Sequence, residues 1–491
     1  MTDDGRADRT ALPVLIQGGM GAGVSNWVLA RAVALAGHLG VVSGTGADTL
    51  LIRRLQDGDP GGHLRRALAH FPVPGAAERI VERFYIPGGR PAGRRYALLP
   101  MYDHRASVKR DLVTVAANFA EVWLAREGHD RPVGINLLTK IQPPTLAALY
   151  GAMLAGVAYV LMGAGIPREI PGALDALARH EPASLRLEVP GAGDPVLLSF
   201  APRALWARTG AEPPALERPK FLAIIASNLL ATMLARKANG RVDGFIVEGP
   251  TAGGHNAPPR GELHLDANGE PIYGERDVVD LDALKELGLP FWIAGGAGSP
   301  ERLVAARAAG AAGIQVGTLF AFCEESGLAP DLRRAVVAAA LRGRVAVRTD
   351  PRASPTGYPF KVVVADGVTN ASDDRERTCD MGYLRAAYRR PDGTIGFRCP
   401  SEPIAQYLRK GGAPDDTVGR RCLCNALLAN VGMGQLREGG PERPLLTSGD
   451  DLVGMAAFLN GRDRYGAQDV IGYLVGACEP SGSTSRAVPT S

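Results

Sequence analysis

The 491-residue sequence predicts a closed (β/α)8 barrel followed by a further C-terminal region. Three observations predict it. Eight short apolar, β-branched runs each end in glycine or a polar turn, and within each consecutive pair one alanine-rich helical stretch fills the interval. The runs are apolar throughout instead of alternating, as strands buried on both faces of a parallel sheet must be. Composition agrees, since 46% hydrophobic and 22% charged residues describe a globular chain. The 62 glycines, near twice the usual share, cluster beside the apolar runs, where tight turns and close backbone approaches use them.

In order, the predicted strands are residues 13–17, 40–43, 132–137, 157–162, 221–226, 244–248, 290–294 and 313–316, with helices over 26–36, 145–155, 229–238 and 300–309. The last helix carries its own stop and start signals. Ser299 can cap it, Pro300 suits its first turn and Gly310 can close it in a left-handed conformation. An open doubly wound sheet is the alternative and would place ligands at a strand-order switch point. Long segments follow the second, fourth, sixth and eighth strands, and in a barrel all of them wall the C-terminal face. The uncharged stretch 141–167 is long enough to cross a bilayer, but its four glycines and flanking prolines read as a buried helix running into a buried strand.

The charge balance, 55 − 51 = +4, makes no case for nucleic acid. The first apolar run, 11–16, is too short for a secretory signal, so a cytoplasmic location is expected and no membrane partner. We expect disordered ends at 1–10 and 479–491, a barrel over 11–330 and a cysteine-containing accessory region over 331–478; a homodimer is compatible with this organisation.

The chemistry is expected at the strand ends. Ile293-Ala294-Gly295-Gly296-Ala297-Gly298-Ser299 ends the seventh strand and opens a helix, so backbone N–H groups can converge on a phosphate. Gln315-Val316-Gly317-Thr318 ends the eighth and adds N–H groups and a hydroxyl. A local turn needs such glycines too; what carries weight is that both lie, in order, where barrels bind phosphate. Gln17-Gly18-Gly19-Met20-Gly21 ends the first strand and lets a flat ring lie against bare backbone. Asn136 closes the third strand and Gly163-Ala164-Gly165 the fourth, so a planar, phosphate-bearing cofactor fits the inventory. After the sixth strand, Glu248-Gly249-Pro250-Thr251-Ala252-Gly253-Gly254-His255 presents an imidazole that can exchange protons near neutral pH.

These motifs, from Ile16-Gln17-Gly18-Gly19-Met20-Gly21 through Gly134-Ile135-Asn136, Gly163-Ala164-Gly165, Ala252-Gly253-Gly254-His255 and Ala294-Gly295-Gly296 to Gln315-Val316-Gly317-Thr318, resemble the nitronate monooxygenase (2-nitropropane dioxygenase) family of FMN-dependent barrels. That family includes the flavin-type enoyl-acyl carrier protein reductases. Ser354-Pro355-Thr356-Gly357-Tyr358-Pro359 also looks like the family's post-barrel turn. The resemblance implies FMN, its phosphate on Gly295, Gly296, Gly317 and Thr318 near Gln315. It places the isoalloxazine against Gly18, Gly19, Met20 and Asn136, near Gly163, Gly253 and Gly254. It implies a small-molecule substrate with oxygen or NAD(P)H, and His255 as the catalytic, proton-exchanging residue. The family's usual glutamate-alanine before the glycine pair is Thr251-Ala252 here, so FMN carries over more directly than substrate identity. The expected activity is oxidation of a nitronate or similarly acidic carbon. The alternatives are an NAD(P)H-dependent enoyl-thioester reductase and a flavin-retaining partner or scaffold.

Cys379, Cys399, Cys422 and Cys424 cluster late in a chain that has no histidine after His264. Any metal they held would be all-thiolate, tetrahedral zinc or else an iron–sulfur cluster; buried unligated thiols and a redox pair are the other readings.

Overall fold

The computed structural model describes residues 11–191, 194–207, 209–365, 368 and 375–476. The expected disordered ends and Cys478 lie outside these residues. Eight parallel strands form one sheet: β1 (Leu15–Gln17), β2 (Gly40–Ser43), β3 (Val133–Leu138), β4 (Tyr159–Gly163), β5 (Lys220–Ile225), β6 (Gly244–Glu248), β7 (Phe291–Ala294) and β8 (Gly313–Val316). Their spatial order is β1-β8-β7-β6-β5-β4-β3-β2. The seam between β1 and β2 is closed by a parallel bridge from Ile16 to Leu39 and by the Gln17 N–H donating to Leu39 O at 2.9 Å. The architecture is therefore the (β/α)8 barrel, and the open sheet is excluded.

Two layers of burial hold it together. Inside, Ile16, Val41, Leu161, Leu222, Ile246 and Trp292 form one cluster, and Trp292 Nε1 donates to Pro13 O at 2.7 Å beneath it. Outside, the helices pack their apolar faces on the strands. Each fully buried aliphatic side chain contributes about 1.5–3 kcal/mol. Gln17 sits fully buried as a polar brace; its Oε1 accepts the Val41 N–H at 3.0 Å and its Nε2 donates to Ser25 Oγ at 2.8 Å.

The helices follow their signals. Asn26 caps Trp27–Leu35, and Ser299 caps Pro300–Ala308 with Gly310 at φ +88° beyond it. The uncharged stretch becomes the buried helix Thr145–Leu154 running into β4. Among the described residues no helix is long and apolar enough to cross a membrane.

The long segments do more than wall the barrel mouth. After β2 the chain builds the helices Ala47–Gln56 and Val108–Arg126, and after β4 an antiparallel hairpin, Ala183–Leu187 with Val196–Phe200. After β8 come the antiparallel pair β9 (Val345–Asp350) and β10 (Phe360–Ala365), then the pair β11 (Ala386–Arg389) and β12 (Ile395–Arg398). The helix Ala467–Val475 returns to pack beside Trp27–Leu35 and Pro300–Ala308. A buried polar knot ties these parts together. The Asp48 carboxylate accepts from Arg110 Nη2 at 2.5 Å, from the Tyr102 hydroxyl at 2.6 Å and from the Tyr383 hydroxyl.

Candidate active site

The C-terminal ends of the strands open into one cavity. It is lined by Gly18, Gly19, Met20, Asn136, Gly163, Gly253, Gly254, Gly295, Gly296, Gln315, Gly317 and Thr318, together with His255. Residues read from six separate motifs thus meet at one rim, because parallel strands of a barrel all end on the same face.

Local sterics explain the glycines that matter most. A Cβ on Gly19 would lie 2.3 Å from Asn136 Cβ and 2.9 Å from Val41 Cγ1, so only a bare backbone lets β1 pass Asn136. Asn136 Nδ2 then donates to Gly19 O at 2.6 Å, which leaves its Oδ1 buried without a partner. Gln315 Oε1 is likewise buried and unpartnered, and the N–H groups of Gly296 and Gly317 have no acceptor among the described residues. The cavity therefore presents polar atoms at both ends that the chain itself does not satisfy. Gly253 has a different reason: its Cβ would stand 2.8 Å from Gly449 N.

That contact belongs to a segment the sequence reading missed. Residues 447–451 cross the rim, where Thr447 Oγ1 accepts from Gly254 N–H at 2.9 Å, Gly449 N–H donates to Thr318 Oγ1 at 3.1 Å and Asp450 N–H donates to Thr251 O at 2.9 Å. Asp451 Oδ2 accepts the Gly298 N–H at 3.1 Å, so this donor, expected to face a phosphate, is already taken. Burial raises the Asp451 carboxyl above its ordinary value, with the Gly298 N–H opposing. A short run of small polar residues, Thr447-Ser448-Gly449-Asp450, was the available signal, but it marks any turn.

His255 is held by the chain after β8. Its Nε2 hydrogen-bonds Ser354 Oγ at 2.7 Å, Ser354 Oγ meets Thr356 Oγ1 at 2.8 Å, and its ring meets Phe360 edge-on at 4.9 Å. Burial lowers the imidazole from its ordinary 6.5 to about 4, so it is neutral at physiological pH and stays neutral well into mild acid. Part of the lining is apolar, formed by Phe360, Leu384, Leu427, Leu428 and Leu446, with Tyr383 and Cys424 also lining the cavity.

The metal reading of the cysteines is not supported. Cys379, Cys399, Cys422 and Cys424 do converge on one small cleft, but among the described residues no group of three or more His, Cys, Asp or Glu is placed to hold a metal ion. Burial pushes the Cys379 and Cys399 thiols up to about 12 and also raises Cys422 and Cys424. All four are free.

Residues 207–394 match the nitronate monooxygenase family model. Among solved structures, FabK from Thermotoga maritima is similar at 18% identity over 94% of this chain and 92% of that one, with a TM-score of 0.45. A nitroalkane oxidase from Streptomyces ansochromogenes is similar at 16% identity over 94% and 95%, with a TM-score of 0.43. The enoyl reductase domain of MlnA, from the macrolactin biosynthesis cluster of Bacillus amyloliquefaciens, is similar at 12% identity over 96% and 95%, with a TM-score of 0.44. No curated protein matches this chain.

Proposed function

We propose, from the match of residues 207–394 to the nitronate monooxygenase family, that this chain is an FMN-dependent oxidoreductase that oxidises a nitronate or a similarly acidic carbon compound with oxygen, His255 exchanging the proton. The observation that carries this reading is a neutral, anchored imidazole on the same rim as the unsatisfied polar atoms of Asn136, Gln315, Gly296 and Gly317. Those atoms fit FMN. Gly296, Gly317 and Thr318 would hold its phosphate, while Gly18, Gly19, Met20, Asn136 and Gly163 would hold the ring. Bound FMN supplies the electron acceptor and the place where oxygen reacts.

The rest is work for the protein. In the tautomer that donates Nε2–H to Ser354, His255 Nδ1 would carry the free lone pair and take the α-proton of a neutral carbon acid. Ser354 and Phe360 fix the ring's plane, so the base does not have to be oriented anew at each turnover. The apolar part of the lining keeps water from competing for the proton.

A second reading, an enoyl-thioester reductase using NAD(P)H, is favoured by that same lining of Leu384, Leu427, Leu428 and Leu446, which suits an acyl chain. Anaerobic mixing separates the two. Bleaching of the flavin by an alkyl nitronate without NAD(P)H is the expected result; rapid bleaching by NAD(P)H, with none by nitronates, would replace the first reading with the second. FMN placement has its own test. Gly19→Ala drives a methyl into Asn136, and overpacking of this kind costs about 1–3 kcal/mol. We expect FMN to bind about tenfold or more weakly in that variant, read as the flavin-to-protein ratio after dialysis; undiminished retention would remove Gly19 and Asn136 from the ring site.

A further inference from the structure

Removing a proton from a carbon acid leaves negative charge on the oxygens attached beside it, and that charge needs a donor. Among the described residues no lysine or arginine lines the cavity. Its titratable lining residues are His255, Tyr383, Cys424, Asp451 and Glu248. Four of these are committed elsewhere or poor donors: His255 is bonded to Ser354, the Tyr383 hydroxyl to Asp48, Asp451 to the Gly298 N–H, and Cys424 is a thiol, a weak donor. Glu248 differs from all of them: its carboxyl has no hydrogen bond or ion pair among the described residues.

Its position follows from strand geometry. Glu248 ends β6, two residues beyond Ile246 and in register with Ala294 of β7. Ile246 and Ala294 both belong to the cluster inside the barrel, so the period of two turns Glu248 to the same inner face, at the level where the cavity begins. The residue keeps some exposed surface and is among those that line the cavity. Burial alone pushes its carboxyl up to about 7; no charged group on any neighbouring element contributes. Near neutral pH a large share of Glu248 therefore keeps its proton and can donate it, as an ordinary surface glutamate cannot.

We propose that the Glu248 carboxylic acid donates the hydrogen bond that holds the anionic oxygen of the substrate in this cavity. This rests on the reading above only in taking the substrate to be an oxyanion formed from a carbon acid. The protons balance simply: the α-proton goes to His255, and Glu248 retains its own while sharing it with the substrate oxygen.

Propionate tests the assignment on the FMN-loaded protein, because it carries a two-oxygen anion on an inert carbon. Binding is read by the flavin absorbance change and by calorimetry, without turnover. Wild-type affinity is expected to be level near pH 6 and to weaken about tenfold per pH unit well above 7, since only the protonated acid donates. Glu248→Gln, whose amide donates at any pH, should bind propionate with no such fall. Glu248→Ala should bind it at least about tenfold more weakly at pH 6. The infrared band of a protonated carboxyl, present at pH 6 and missing from Glu248→Gln, is a readout that needs no ligand. Wild-type affinity that stays level through pH 9, Glu248→Ala binding like wild type, or no propionate binding at pH 6 would each overturn the assignment. If propionate follows Glu248 while nitronates fail to bleach the flavin, the nitronate reading falls and the oxyanion donor stands; bleaching without any dependence on Glu248 sinks the donor alone.

Discussion

His255→Ala is expected to lower kcat with a neutral nitroalkane by about 10²–10⁴-fold, the usual worth of a positioned general base, while FMN stays bound. Retention should survive because the atoms that fit FMN belong to other residues, from Gly19 to Thr318. The fold should survive as well. The ring gives up one hydrogen bond to Ser354 and one edge contact with Phe360, together about 1–3 kcal/mol. Comparing substrates sharpens the test. A preformed nitronate has already lost its α-proton, so the variant should be much less impaired with nitronate than with the parent nitroalkane. The pH profile has a definite sign. Burial lowers the imidazole to about 4, and protonation removes the base, so the acid limb of kcat/KM for wild type should fall near pH 4 and not near 6.5. Equal turnover by variant and wild type with the neutral substrate would exclude the imidazole from the reaction.

Arg110→Met is expected to destabilise the protein by about 3–5 kcal/mol, the typical cost of leaving a buried charge unpaired. Asp48 is 3% exposed and Arg110 8%, so neither can turn to solvent when its partner is lost. Burial by itself would raise the Asp48 carboxyl; Arg110, then Tyr102 and Tyr383, bring it below its ordinary value. A carboxyl with a lowered folded pKa contributes stability above its unfolded value, about 3.9, and loses it as pH falls through the lower folded one. The gap between wild type and variant, measured by urea denaturation, should therefore be full at pH 7 and shrink in acid. Asp48→Asn with Arg110→Met should recover much of the loss, because no uncompensated charge remains. The knot also carries Tyr383, which lines the cavity, so the single variant should show altered binding of apolar ligands. A loss below about 1 kcal/mol would mean that water, not the pair, solvates Asp48.

Much of this protein is legible along the chain because the relevant signals are local. Each barrel strand is a few consecutive apolar residues, each cap is one residue before its helix, and the glycine turns directly follow the strands they end. Parallel closure then forces Asn136, His255, Gln315 and Thr318 onto one rim from positions far apart in sequence. Residue types and strand ends, and with them the barrel and a plausible flavin cradle, are thus properties of the sequence alone.

What holds His255 is a different matter. Ser354 lies 99 residues from it, and Thr447 lies 193 residues from the Gly254 N–H it accepts, with no periodic pattern to announce either contact. Protonation was also beyond the sequence. The same residue types could have been a charged histidine and an ionised glutamate; burial made them a neutral base and a carboxyl near 7. The physical reason is that a group's charge depends on how much water and which partners surround it, and those are set only when distant segments pack together.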